Sequence, residues 1–117
     1  GSRKDVRPIL KEMDIYICAS FYESSPLSVW EAMAMKKAIV TTDVGDVSKF
    51  VKNGINGYVV KTGDYKNLSK YALKLIKNYK LRKKFGNISR KIAKEKLNLK
   101  LCADRHFRAY HKLFHLN

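Results

Sequence analysis

Apolar positions along this chain follow two rhythms. Three stretches, "DIYICAS" (14–20), "AIVTT" (38–42) and "YVV" (58–60), are short β-rich runs. The first two are continuously apolar at their centres, which predicts strands buried on both faces, as in a parallel sheet. Elsewhere the apolar residues recur at helical spacing. "DVRPILKEM" (5–13) predicts a short helix that Asp5 can cap, with Pro8 inside its first turn. "PLSVWEAMAM" (26–35) is rich in helix formers and opens on a proline suited to a first helical position. Residues 45–57 predict a loop, a short helical piece around "VSKFV" and a turn at "NGING". From there the pattern is helical. Leu68, Tyr71, Ala72, Leu75, Ile76 and Tyr79 form one apolar stripe, with Lys70, Lys74 and Lys77 opposite or beside it. Leu81, Phe85, Ile88 and Ile92 form a second, and Ala103, Phe107, Tyr110 and Phe114 a third. The aromatics in these stripes are expected in the core.

The predicted order is helix, strand, helix, strand, helical turn, strand and three helices, an α/β arrangement around a parallel sheet. Three strands make a small sheet, which suggests half of a larger doubly wound domain. At 117 residues the chain is one domain at most. Its 45% apolar content is enough for a core that buries roughly two-thirds of the surface. No apolar run approaches the ~20 residues of a membrane span, and no secretory signal is evident. Cys18 and Cys102, far apart and without metal-type spacing, are expected as reduced core residues of a cytoplasmic protein. Whether the opening Gly1-Ser2 is native is left open.

Charge divides the chain in two. Residues 1–60 hold 8 Lys and Arg against 7 Asp and Glu, whereas residues 61–117 hold 17 against 3. A basic half fits an anionic partner, whether membrane phospholipid, nucleic acid or a phosphorylated substrate; it fits equally a set of lysines on solvated helix faces.

In the near-neutral half, "YESSPLSVWE" (22–31) sets Glu23 and Glu31 eight positions apart. Ligands of open parallel sheets sit beyond the carboxyl ends of the strands, and Glu23 lies in the loop leaving the first strand at that end. The helix start that follows offers unpaired backbone N–H groups and a positive dipole end, a place for a phosphate or diphosphate. Ser24, Ser25 and Ser28 add hydroxyl donors. Glu31 falls about 7–8 Å further along the helix. Carboxylates repel phosphate but accept hydrogen bonds from vicinal hydroxyls, and a nucleotide sugar carries such hydroxyls on both sides of its diphosphate. On spacing alone the pair also reads as an exposed loop residue and a solvated helix residue.

"YESSPLSVWEAMA" resembles the Glu-x7-Glu motif of retaining GT-B glycosyltransferases (glycosyl transferases group 1). The similarity runs on in order through "RKDVRPILKEMDIYICAS" before the motif, and "AIVTTDVGDVSKFVKNGINGYVV" and "GDYKNLSKYALKLIKN" after it, covering about residues 3–96. It implies that the chain is a partial C-terminal, donor-binding domain over 1–117: a Rossmann-like half of a GT-B C-terminal domain whose basic helical portion is 61–117. The parent would transfer a hexose from a nucleotide-diphosphate sugar to a glycan or lipid-linked acceptor, with retention. Glu23 would contact hydroxyls of the donor sugar and Glu31 those of the ribose. The loop amides, with Ser24, Ser25, Leu27 and Ser28 as the contacting residues, would hold the diphosphate. Arg3, beside Lys4, falls where the family contacts the base; a solvated charge is the alternative there. No cofactor or metal is implied.

Several positions depart from the family pattern. Ser24-Ser25 stand where a Gly and an aromatic are common, and Lys49 where a glutamate is common. Lys36-Lys37-Ala38 replaces a Gly-x-Pro pattern, which predicts that one of these lysines adopts the left-handed conformation. The family's upstream phosphate-clamping basic pair and its acceptor-binding domain are absent from these residues, so the fragment alone is expected to be inactive and to self-associate through an open sheet edge. An anionic membrane surface is an expected partner, placing the parent in the cytoplasm at the inner face of the membrane. Nucleic acid is not an expected partner, although a basic nucleic-acid-binding module and a non-catalytic membrane-surface adaptor are the rival functions.

Overall fold

The structure is a computed structural model that describes residues 7–23 and 26–97. In chain order it comprises α1 (Arg7–Glu12), β1 (Ile15–Cys18), α2 (Leu27–Ala34), β2 (Ala38–Thr42), a 3-10 turn (Val47–Lys49), β3 (Gly57–Val60), α3 (Tyr65–Ile76) and α4 (Tyr79–Lys96). Arg3, Lys4, Asp5, Ser24, Ser25, Cys102 and the third helical stripe lie outside the described residues.

The three strands pair in parallel in the order β1-β2-β3, with Ile15 opposite Ala38 and Ile39 opposite Gly57. Every residue of the central β2 is buried. Its period-2 alternation feeds two cores. Ile39 joins Leu10, Cys18, Val29, Met33 and Val47 on one face. Ala38 and Val40 join Tyr58, Leu68, Leu75 and Phe85 on the other. The sheet is therefore the middle layer of an αβα sandwich.

Two expectations about burial need correction. β1 is not buried on both faces: Ile17 is 47% exposed. Among the described residues β1 pairs only with β2, so it is an edge strand whose far side lacks a neighbour. Likewise the stripe over 68–79 does not run into the core to its end. Leu68, Ala72 and Leu75 are buried, but Ile76 and Tyr79 are 58% and 62% exposed. The chain breaks at Lys77-Asn78 for local reasons. The Asn78 side chain caps α4 by accepting from the Leu81 amide at 3.0 Å, and the Arg82 guanidinium caps α3 by donating to the Leu75 and Ile76 carbonyls at 2.8 and 2.6 Å.

On α4 the buried seam is Phe85, Gly86, Ser89 and Ala93, while Leu81, Ile88 and Ile92 are only half-buried. Gly86 lies so close to the Lys36 carbonyl that a Cβ there would collide with it. Lys36 itself has φ 63°, the left-handed conformation expected for one of the two lysines after α2. The Arg90 guanidinium donates to the Ala34 carbonyl at 2.7 Å, so α4 is fastened to the end of α2.

Candidate functional site

The carboxyl ends of β1, β2 and β3 are held together by contacts between the loops that leave them. Thr42 donates its hydroxyl to the Ser20 carbonyl at 2.6 Å, joining the β1 loop to β2. The Asp43 amide donates to the Val60 carbonyl at 2.7 Å, joining β2 to β3. Phe21 packs edge-on against Tyr65 with ring centroids 6.1 Å apart, joining the β1 loop to the start of α3. A Cβ at Gly63, where φ is 83°, would touch the same Phe21 ring. Glu23 follows directly on this braced segment and is exposed, as are Phe21 and Tyr22.

α2 begins where that loop ends. Pro26 occupies the capping position, is buried, and supplies no side-chain hydrogen bond to the helix. Its carbonyl accepts from the Val29 and Trp30 amides at 2.9 and 3.3 Å. The amides of the first turn, those of Leu27 and Ser28 among them, have no carbonyl a turn earlier to bond to and point beyond the helix end. Val29, Ala32 and Met33 bury one face of α2 completely, and Trp30 stacks edge-on against Phe50 at 5.0 Å to fix its rotation. That rotation turns Leu27, Ser28 and Glu31, which share a face at three- and four-residue spacing, toward solvent. Of the expected site residues, Glu23, Leu27, Ser28 and Glu31 are thus placed around the start of α2 at the carboxyl end of the sheet. Lys49, in the 3-10 turn, is exposed and offers a cation where a glutamate was the family habit.

Asp46, at the cap of the 3-10 turn, was not among the expected site residues. Its Oδ1 is buried without a hydrogen-bond partner, in the loop leaving β2 at the same end of the sheet. No motif marks it.

A concavity of the described residues lies elsewhere. A half-open groove of ≈ 550 Å³, lined by Lys11, Asp14, Lys36, Lys37, Arg82 and Lys83 among others, opens at the amino ends of the strands. Glu12 lines it, but Glu23 and Glu31 do not.

The sequence model of the family described as "Glycosyl transferases group 1" matches residues 1–92. The chain is 31% identical over 97% of its length to the N,N'-diacetylbacillosaminyl-diphospho-undecaprenol alpha-1,3-N-acetylgalactosaminyltransferase of Campylobacter jejuni. It is 33% identical over 90% of its length to an uncharacterized glycosyltransferase of Methanocaldococcus jannaschii. It spans 30% and 27% of those two proteins. A glycosyltransferase structure from Rickettsia africae superposes on the whole chain with a TM-score of 0.86 at 22% identity, the chain covering 32% of it. That likeness shows the fold. Sequence and fold agree, and the chain belongs to the glycosyl transferases group 1 family.

Proposed function

We propose that the chain is part of the donor-binding domain of a retaining glycosyltransferase that moves a hexose from a nucleotide-diphosphate sugar to a glycan or lipid-linked acceptor. The observation that carries this reading is the meeting of the braced β1 loop and the start of α2 at the carboxyl end of the sheet, with Glu23 before the helix start and Glu31 beyond it. The diphosphate would lie against the amides of residues 24–28. Glu23 would accept hydrogen bonds from sugar hydroxyls and Glu31 from the ribose. When the bond from the anomeric carbon to the diphosphate breaks, its electron pair passes to the phosphate oxygen. In this reading the dipole of α2 and the amides of its first turn would lie where that negative charge grows, and would so favour the transition state over the bound donor. The proposed transfer uses no metal, in keeping with the family resemblance. The C. jejuni relative is named for an acceptor on diphospho-undecaprenol, which supports a lipid-linked acceptor here.

The test is nucleoside-diphosphate binding and turnover in the whole protein that carries this chain. Glu31→Ala should weaken binding by about 2–4 kcal/mol, the loss of two charge-assisted hydrogen bonds with incomplete additivity. Glu23→Ala should lower turnover while leaving nucleoside-diphosphate affinity nearly unchanged. Equal weakening by both variants would sink the division of roles, and unaltered binding in both would sink the donor site.

A further inference from the structure

Residues 65–94 contain eleven Lys and Arg and no Asp or Glu. The structure separates these cations into two kinds. The two arginines point inward to carbonyls, Arg82 to Leu75 and Ile76 and Arg90 to Ala34. All nine lysines are exposed. On α4, Lys80, Lys83, Lys84, Lys91 and Lys94 fall within about a third of the helix circumference at 3.6 residues per turn, opposite the buried Phe85, Ser89 and Ala93. Helix-end electrostatics favours only Lys94 among them, in the last turn of α4. The first turn of α4 has no acid, and Lys80 sits there against the positive end of the helix dipole.

A second feature sits at the head of this stripe. Leu73, Ile76 and Tyr79 are 52%, 58% and 62% exposed at the corner where α3 gives way to α4. Arg82 draws the corner together: it bonds the Ile76 carbonyl at 2.6 Å, and its guanidinium lies 5.5 Å from the centre of the Tyr79 ring. Lys83 lies 5.6 Å from the same ring. Lys74, Lys77 and Lys80 alternate with the apolar residues along the chain. An aliphatic and aromatic tip ringed by lysines matches the two layers of a lipid interface, apolar within and anionic at the surface.

We propose that the α3–α4 corner docks on an anionic lipid bilayer, with Leu73, Ile76 and Tyr79 entering the headgroup layer and the α4 lysines lying on the surface. A nucleic-acid backbone would satisfy the lysines but has no use for exposed Leu73 and Ile76, which is why a bilayer is favoured. The corner lies at the amino end of the sheet, since α3 begins beside the carboxyl end of β3 and runs back for twelve residues, about 18 Å. Docking there leaves Glu23 and Glu31 uncovered. The proposal extends the lipid-linked acceptor reading but does not depend on the donor site.

The experiment is co-sedimentation of the whole protein with vesicles of phosphatidylglycerol and phosphatidylcholine, and with pure phosphatidylcholine, at 0.1 M and 1 M salt. Screening shortens from about 10 Å to about 3 Å over that range. The protein should bind the anionic vesicles at low salt only. Each lysine near such a surface contributes about five-fold, so Lys77→Glu, Lys80→Glu and Lys83→Glu combined should weaken binding by at least about 100-fold. Leu73→Gln with Ile76→Gln should weaken it by about ten-fold with the salt dependence unchanged. A Tyr79→Trp variant should gain blue-shifted emission on anionic vesicles relative to the wild type. Equal binding to neutral vesicles, no binding at low salt, tighter binding to mixed-sequence RNA than to vesicles, or unshifted Tyr79→Trp emission would each overturn the proposal. Nucleoside-diphosphate affinity should be the same in all these variants, so the docking face and the donor site can fail separately.

Discussion

The Thr42 hydroxyl donates a hydrogen bond to the Ser20 carbonyl at 2.6 Å, across 22 positions of sequence, and ties the central strand to the loop that leads to Glu23. Ser20 is three residues before Glu23, and Thr42 is the last residue of the fully buried central strand. The rigid middle of the sheet thereby sets where the β1 loop leaves. Thr42→Val keeps the shape but strands the Ser20 carbonyl, which should cost about 1–2 kcal/mol of stability. It should also lower turnover by loosening the segment before Glu23. Denaturant unfolding and steady-state kinetics together check this; a stability loss with turnover intact would mean the bond does not position the site.

Asn56 is fully buried and ties three elements. Its Oδ1 accepts from the Lys52 amide at 2.8 Å, its Nδ2 donates to the Phe50 carbonyl at 3.0 Å, and it is linked to Ser89 of α4 at 3.3 Å. Asn56→Ala should destabilise by about 2–4 kcal/mol, because buried backbone groups lose partners they cannot replace with water. Ser89→Ala should cost less, and the double variant should cost less than the sum of the two. A thermal-melting cycle that came out additive would separate the two residues energetically.

Lys36 and Gly86 are a matched pair, a left-handed residue whose carbonyl fills the space a side chain at 86 would need. Lys36→Gly should stabilise by about 0.5–1 kcal/mol, since the left-handed conformation costs a side-chain-bearing residue more than glycine. Gly86→Ala should destabilise despite alanine's better helix propensity, by pushing α4 off the end of α2. A rise in melting temperature for Gly86→Ala would contradict the close approach.

Asp64 caps α3: its Oδ1 accepts from the Asn67 amide at 3.1 Å and its Oδ2 from the Asn67 side chain at 2.7 Å. These hydrogen bonds, helped by Lys61 and Lys66, hold its carboxyl below the ordinary 3.8. The unfolded chain therefore takes up this proton at higher pH than the folded one. The cap's contribution is complete above the ordinary value and is lost as pH falls through the lowered one. Melting followed from neutral to strongly acid pH should show an acid loss that is smaller in Asp64→Asn, which keeps an acceptor without the titration. An identical acid profile would place the acid sensitivity elsewhere.

Much of this protein was written locally. The strand at 38–42 follows from a continuous run of apolar and β-branched residues, and the helix from its run of helix formers, because such preferences act within a few residues; the helix itself spans 27–34, with Pro26 at the non-helical cap and not at the first helical position expected of it. A left-handed lysine after α2 was expected from the family resemblance, since Lys36-Lys37-Ala38 stands where a Gly-x-Pro pattern is usual; which of the two lysines takes that conformation, Lys36, came from the structure. What required tertiary structure was every property set by a neighbour distant in sequence. Ile17 is half-exposed because β1 lies at the edge of the described sheet, and no local pattern distinguishes an edge from a centre. Ser89 is buried because Asn56, 33 positions earlier, meets it. Ile76 and Tyr79 continue the apolar stripe by period yet stand outside, because the Asn78 and Arg82 caps end one helix and start another at that corner. The motif could name Glu23 and Glu31, but only the packing of Trp30 on Phe50 and the burial of Val29 and Met33 decide that Glu31 turns to solvent at the carboxyl end of the sheet. Sequence fixes which groups are available; the rotation of α2 against the sheet decides which face presents them.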